Sequence, residues 1–83
     1  MADVKIYRTS YCPYCDMAER LFKSIDQEVE KIDVTNDPDK RTWLVQETGQ
    51  RTVPQIFIDD RHVGGYDDLA ALERKGKLDA LLT

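Results

Sequence analysis

The two cysteines of this 83-residue chain are Cys12 and Cys15, separated by Pro13 and Tyr14. A disulfide across so short a loop removes little conformational entropy from the unfolded chain. It would therefore stabilise the fold by much less than the roughly 3 kcal/mol expected for a 15-residue loop. Two thiols at this spacing are better suited to reversible thiol–disulfide chemistry than to a structural crosslink.

A Cys-x-x-Cys pair can also supply half of a zinc site, which then needs two further ligands. The chain has His62 as its single histidine and no second pair of cysteines. The sequence therefore favours redox use of the cysteines in a compartment that keeps thiols reduced, and it predicts no metal site. His62 is predicted to lie on the surface.

The two cysteines are predicted to be inequivalent, because a strand ends before them and a helix begins at Pro13. Cys12 takes the N-cap position, where the unpaired N–H groups of the first turn and the helix dipole should lower the pKa of its thiol below about 8.5. Cys15 shares a helix face with Ala18 and Phe22 and should be more buried. Cys12 is therefore the expected exposed nucleophile and leaving group, and Cys15 the resolving thiol.

A low pKa would help Cys12 mainly as a leaving group. A pKa near 5 would raise the thiolate fraction at pH 7 roughly 30-fold, but a Brønsted slope of about 0.45 would lower its intrinsic nucleophilicity roughly 40-fold. A low pKa would therefore change the rate at which Cys12 attacks a disulfide very little. The sequence thus favours a site that accepts and then releases a mixed disulfide at Cys12.

The elements around the cysteines follow from the hydrophobic pattern. Val4 to Tyr7 alternate apolar and polar side chains, which predicts a first strand over about 3–8. Pro13 suits the first helical position, and apolar residues at helical spacing follow it, which predicts the first helix. Those residues are Tyr14, Ala18, Leu21, Phe22 and Ile25.

The middle of the chain predicts an edge strand and a second helix. Residues 29–34 are β-prone, but their alternation slips, which favours a short strand at the edge of a sheet. Asp37 and Pro38 form a typical helix start and Gly49 a typical stop, so a helix is predicted over 38–48.

The C-terminal part predicts a hairpin followed by helices. Residues 55–63 contain two short β-prone runs around a turn. Asp67 or Asp68 can cap a third helix that stops at Gly76, and residues 78–82 suggest a last helical turn.

The element order β-α-β-α-β-β-α places one parallel crossover before a hairpin. The simplest solution is an α/β fold with a four-stranded mixed sheet flanked by helices. A chain of this length leaves too little apolar surface for a second domain with an independent core, so we expect a single domain over residues 1–83.

Composition limits the partners. Residues of the hydrophobic class make up 41% of the chain, and 12 Lys+Arg against 16 Asp+Glu give a net charge of −4. This charge opposes nonspecific binding of nucleic acid. We find no apolar run that could span a membrane and no secretory signal pattern, so a cytoplasmic protein is expected.

Three motifs in order resemble those of the dithiol glutaredoxins, in particular the short bacterial glutaredoxin 3 type. They are Cys12-Pro13-Tyr14-Cys15 after a strand, Thr52-Val53-Pro54 before the hairpin, and Gly64-Gly65-Tyr66-Asp67-Asp68-Leu69 at the start of the third helix. The similarity extends from Val4 to Leu82.

The resemblance implies a thioredoxin-like fold and glutathione as co-substrate. The expected activity is the reduction of protein disulfides and of protein–glutathione mixed disulfides by the Cys12/Cys15 dithiol. It also implies a cis Val53-Pro54 bond that faces the cysteines and lets the Val53 backbone bind the cysteine of glutathione.

The same resemblance implies where the charged ends of glutathione bind. The N–H groups of Asp67 and Asp68 would hold the γ-glutamyl carboxylate and the Asp68 side chain the ammonium group, while Arg41 or Arg51 would hold the glycyl carboxylate. The full set of expected contacts is Tyr14, Arg41, Arg51, Thr52, Val53, Pro54, Tyr66, Asp67 and Asp68.

Two positions depart from the family pattern. Thr9 stands where relatives usually have Lys or Arg, a cation that helps to stabilise the thiolate. Arg8 is one position earlier and should point to the opposite face of the strand. Tyr66 stands where close relatives often have a third cysteine.

Two alternatives stay open. One is a redoxin of similar size that thioredoxin reductase supplies with electrons for ribonucleotide reductase, which the Gly64–Asp68 segment argues against. The other is a [2Fe–2S] carrier in which Cys12 of two chains and two glutathione molecules hold the cluster, which Pro13 disfavours. For the favoured function we expect a monomer whose partners are glutathione and disulfide-bearing or glutathionylated proteins, with ribonucleotide reductase among the candidates.

Overall fold

The computed structural model describes residues 2–83, where four strands and four helices follow one another along the chain. The strands are β1 (Val4–Arg8), β2 (Glu30–Asp33), β3 (Gln55–Ile58) and β4 (Arg61–Gly64), and the helices are α1 (Pro13–Ser24), α2 (Pro38–Thr48), α3 (Tyr66–Arg74) and α4 (Leu78–Leu82). No helix within residues 2–83 is long and apolar enough to cross a membrane.

The four strands form one mixed sheet in the order β2-β1-β3-β4. β1 pairs in parallel with β2 and antiparallel with β3, and β3 pairs antiparallel with β4. The predicted mixed sheet is therefore confirmed, with β2 at an edge. β2 is shorter than the predicted 29–34, because its pairing with β1 covers Glu30 to Asp33 alone.

Alternating side chains of the sheet enter two separate hydrophobic cores. Ile6 and Ile56 lie in the larger core, which contains Phe22 of α1 and Leu69 of α3. Burial of a side chain the size of Phe22 contributes on the order of 2–3 kcal/mol. The smaller core on the other face holds Tyr7, Val34, Leu44 and Phe57. The first strand is thus buried on both faces and fixes the start of the loop that carries Cys12.

The predicted limits of α2 are confirmed at both ends. The Asp37 side chain accepts a hydrogen bond from the Lys40 N–H at 3.0 Å, and Pro38 is the first helical residue. Gly49 ends the helix in the left-handed region, with φ of 71°. This is a conformation that glycine adopts without steric cost.

Two details of the helix predictions were wrong. Ile25 lies beyond the end of α1 and is 40% exposed, because the chain turns back there and the Ile25 N–H bonds to the Phe22 carbonyl. Gly65 is the N-cap of α3, so the predicted position of the cap was wrong, although Asp68 does cap the helix. Asp68 sits in the first turn and accepts a hydrogen bond from the Gly65 N–H at 3.0 Å.

Candidate active site

The loop between β1 and α1 presents Cys12, and hydrogen bonds to the end of β2 hold this loop in place. The Ser10 N–H donates to Thr35 Oγ1 at 2.7 Å, and the Ser10 hydroxyl donates to Asp33 Oδ2 at 3.3 Å. The Thr35 N–H donates to Asp33 Oδ1 at 2.8 Å. Hydrogen bonds from the Thr35 hydroxyl and N–H lower the pKa of Asp33 below its ordinary value. The loop is therefore held at Ser10, one residue before Tyr11 and two before Cys12.

Cys12 and Cys15 form a disulfide at the start of α1, with their Cα atoms 5.2 Å apart. Cys12 is the N-cap, as predicted, and its Sγ accepts a hydrogen bond from the Cys15 N–H at 3.1 Å. Cys15 is fully buried and Cys12 is 7% exposed, so the predicted order of burial is confirmed. The expectation of an exposed Cys12 was wrong for this oxidised state, because its sulfur is turned back onto the first turn of the helix.

The Val53–Pro54 peptide bond is cis, as expected, and it brings the backbone before β3 against the cysteines. The Val53 carbonyl oxygen lies 3.9 Å from Cys12 Sγ. Backbone polar groups at that distance can bind the chain of a peptide whose sulfur reacts with Cys12.

A cleft of about 290 Å³ opens beside this contact. Its walls come from α1, the segment before β3 and the start of α3. Its lining residues are Tyr14, Gln50, Thr52, Val53, Pro54, Gly65, Tyr66, Asp67 and Asp68. All the predicted glutathione contacts except Arg41 and Arg51 are thus brought together in one place.

The start of α3 provides the polar end of the cleft. The N–H groups in the first turn of a helix lack intrahelical partners, and Asp67 and Asp68 occupy this turn. Gly64 must be glycine, since its φ is 120° and a Cβ there would lie 2.3 Å from Asp68 Oδ2. The ring centroids of Tyr14 and Tyr66 lie 6.2 Å apart, and the two rings form an aromatic rim of the cleft.

Arg41 and Arg51 lie beside the cleft and not in its wall. Arg41 Nη2 donates to the Arg51 carbonyl oxygen at 3.4 Å, which places the two residues next to each other. The Arg41 guanidinium therefore lies beside the backbone that joins Gln50 and Thr52, two residues that line the cleft. The predicted contact of Arg41 or Arg51 with a carboxylate stays a prediction.

The Arg8 side chain is held by carboxylates of α1. Its guanidinium forms ion pairs with Asp16, at 2.9 Å, and with Glu19, both on α1. Hydrogen bonding to Glu19 raises the pKa of Arg8 above its ordinary value. Arg8 therefore braces α1 against β1 and does not replace the cation missing at Thr9.

A larger depression of about 900 Å³ lies between α1 and the start of β2. It is lined largely by charged side chains such as Arg20, Lys23 and Glu28, with no cysteine among them. We assign the site to the smaller cleft because the reactive sulfur atoms and the unpaired helix N–H groups lie there.

Sequence reasoning missed three residues of this region: Gln50, Gly65 and Gln55. Gln50 and Gly65 line the cleft, and Gln55 is buried directly behind it. The signal for Gln55 was a polar residue at the head of the apolar run Ile56-Phe57-Ile58.

The three sequence motifs meet at one site, as the resemblance implied. This site contains the cysteine pair, the Val53 carbonyl and the start of α3. The family model for glutaredoxin matches residues 4–63. This chain belongs to the glutaredoxin family. A glutaredoxin of Pseudomonas aeruginosa is 48% identical to it over 83 residues, which cover 100% of this chain and 99% of that protein. Glutaredoxin 3 of Escherichia coli K12 is 44% identical over 82 residues, 99% of each chain.

Solved glutaredoxin structures share the fold. The crystal structure of a buckwheat glutaredoxin–glutathione complex matches with a TM-score of 0.90 at 33% identity, over 98% of this chain and 76% of that one. The solution structure of a Brucella melitensis glutaredoxin matches with a TM-score of 0.88 at 48% identity, over 99% of this chain and 89% of that one.

These matches confirm the predicted thioredoxin-like fold and the predicted reaction. This glutaredoxin is a glutathione-dependent thiol–disulfide oxidoreductase, with glutathione as co-substrate and disulfides as substrates.

Proposed function

We propose that the cleft beside Cys12 holds the glutathione half of a protein–glutathione mixed disulfide. The observation that carries the proposal is the continuity of the site: Cys12 Sγ lies 3.9 Å from the Val53 carbonyl oxygen, and Val53 also lines the cleft. Asp67 and Asp68 would bind the γ-glutamyl end and Arg41 or Arg51 the glycyl end. Tyr14, Thr52, Pro54 and Tyr66 would pack along the peptide.

In the proposed mechanism the Cys12 thiolate attacks the glutathione sulfur. The bond between Cys12 and glutathione forms, the mixed-disulfide bond breaks, and the substrate protein leaves as a thiolate that takes a proton from water. The thiolate of a second glutathione then attacks the sulfur of the bound glutathione. Glutathione disulfide leaves and Cys12 returns as a thiolate.

A protein disulfide needs both cysteines. Cys12 attacks one sulfur of that disulfide and forms a mixed disulfide with the protein, while the disulfide bond breaks and the other sulfur leaves as the first protein thiol. Cys15 loses its proton to solvent and attacks Cys12 Sγ, which releases the second protein thiol and gives the Cys12–Cys15 disulfide of this structure. Two glutathione molecules then reduce this disulfide and leave as glutathione disulfide.

We further propose that residues 1–83 form one domain that works as a monomer. A single chain supplies both cysteines and all walls of the cleft, which supports this view. We propose a cytoplasmic location, because the cycle needs a glutathione pool that keeps thiols reduced. Among protein disulfides, that of ribonucleotide reductase is a candidate substrate.

Substitution of each cysteine tests the mechanism. Cys15→Ser should keep the reduction of a glutathionylated peptide within about threefold of wild type, because glutathione can resolve the Cys12 adduct. The same variant should lose the reduction of a protein disulfide, and Cys12→Ser should lose both activities. Turnover of the glutathionylated peptide by Cys12→Ser would contradict the mechanism.

A further inference from the structure

Gln55 is, among residues 2–83, the only residue with an amide or charged side chain that is completely buried. It follows Pro54 and begins β3, so its side chain lies behind the wall of the cleft. Its Nε2 donates to the Thr52 carbonyl oxygen at 2.9 Å and to Gln50 Oε1 at 2.9 Å. Both acceptors belong to residues that line the cleft.

The orientation of the Gln55 amide follows from its partners. The Thr52 carbonyl can accept but not donate, so the nitrogen of the amide must face it. The amide oxygen, Oε1, then faces Nε2 of His62, which lies 2.7 Å away on β4. His62 must therefore carry a hydrogen on Nε2. Its ring centroid also lies 5.2 Å from that of Phe57, which limits the movement of the ring.

These bonds determine which group Gln50 offers to the cleft. Its Oε1 is used by Gln55, so the remaining polar group of the amide is the NH₂, a donor. Glutathione has two carboxylates, and hydrogen bonds to charged acceptors are about twice as strong as neutral ones. Gln50 thus presents a suitable donor, provided that Gln55 holds it.

We propose that Gln55, held by His62, is a positioning residue for glutathione: it orients the Gln50–Thr52 wall so that the wall binds the glutathione moiety. This inference rests on the proposed function, since it assumes that glutathione occupies the cleft. Gln55 has no hydrogen bond to either cysteine within residues 2–83. It acts on the affinity for glutathione and not on the chemistry of Cys12.

The principal test is Gln55→Met, which keeps the length of the side chain and removes the amide. The KM for a glutathionylated peptide should rise about 10-fold, which corresponds to about 1.4 kcal/mol, the size of one net hydrogen bond. The kcat should stay within twofold. The pKa of Cys12, measured from alkylation rates in a Cys15→Ser background, should not move.

A second variant avoids a substitution in the core. His62 is exposed, so His62→Leu removes the bond to Gln55 without replacing a buried side chain. We expect a smaller rise in KM, about threefold, again with kcat unchanged. Arg61→Leu is the matched control, because Arg61 is exposed on the same strand and its side chain has no hydrogen bond or ion pair within residues 2–83. Its KM should equal that of wild type.

Other results overturn the positioning role. An unchanged KM in both Gln55→Met and His62→Leu would do so. So would a joint change of KM, kcat, the Cys12 pKa and the thermal midpoint in both variants, which would indicate a purely structural role.

Spectroscopy separates this inference from the proposed function. In a Cys15→Ser variant carrying glutathione on Cys12, the amide resonances of Val53, Asp67 and Asp68 should shift relative to the reduced protein. Unshifted resonances would refute the placement of glutathione in the cleft. Shifted resonances together with a wild-type KM in Gln55→Met would refute the role of Gln55 alone.

Discussion

Cys12 owes its reactivity to its place at the start of α1. The Cys15 N–H already donates to its sulfur in the oxidised form, and the same donor and the helix dipole favour the thiolate after reduction. Side chains add little positive charge nearby: Thr9 is neutral and Arg8 is paired with Asp16 and Glu19. At the residue scale, the thiolate therefore depends on backbone groups.

A cation at position 9 should strengthen this stabilisation. Thr9→Lys is expected to lower the pKa of Cys12, because a positive charge near the thiolate favours the anion. The pH dependence of alkylation in a Cys15→Ser background measures this pKa. Thr9→Gln is the neutral control, and an equal decrease in that variant would show that charge is not the cause.

At the scale of elements, three helices contribute to the site in different ways. α1 carries the cysteines, α3 supplies the unpaired N–H groups at the end of the cleft, and α2 covers the opposite face of the sheet through Leu44. The chain leaves α2 at Gly49 and enters the Gln50–Thr52 wall directly. The stability of α2 therefore bears on the cleft without a direct contact to Cys12.

The cap of α2 can be tested by itself. Asp37→Ala removes the acceptor for the Lys40 N–H and should lower the free energy of unfolding by about 1 kcal/mol. Asp37→Asn keeps an acceptor and should retain most of this stability. Urea denaturation of the two variants measures the difference, and equal losses in both would show that the hydrogen bond is not the source.

At the scale of the whole molecule, the active-site loop is joined to β2, the edge strand next to β1. Ser10, Thr35 and Asp33 make this link, and the pKa of Asp33 is lowered in the folded state. A carboxyl group with a lowered folded pKa stabilises the protein above its unfolded pKa of about 3.9. This contribution disappears as the pH falls through the folded pKa.

Asp33→Asn should therefore destabilise the protein at pH 6 more than at pH 3. At the lower pH much of the wild-type carboxyl is protonated and no longer stabilises the fold through its charge. The free energies of unfolding of wild type and variant therefore become more similar. Urea denaturation at both pH values measures the gap in the free energy of unfolding. A gap that stays constant between them would contradict this assignment.

The sequence by itself determined the features that depend on neighbouring residues. Asp37, Pro38 and Gly49 mark the ends of α2, and Cys12 is the N-cap of α1, because capping and turn preferences act within a few residues. The motifs around Cys12, Val53 and Asp67 also sufficed to identify the glutaredoxin family and its reaction.

Only the tertiary structure decided the contacts between distant segments. Sequence pattern did not reveal that Gln55 meets His62, because this pairing depends on the register of β3 and β4, which shifts between Ile56 and Phe57. It likewise did not reveal the low exposure of Cys12 or that Arg41 lies outside the wall of the cleft. Such contacts follow from how the sheet and helices pack, and no local preference specifies them.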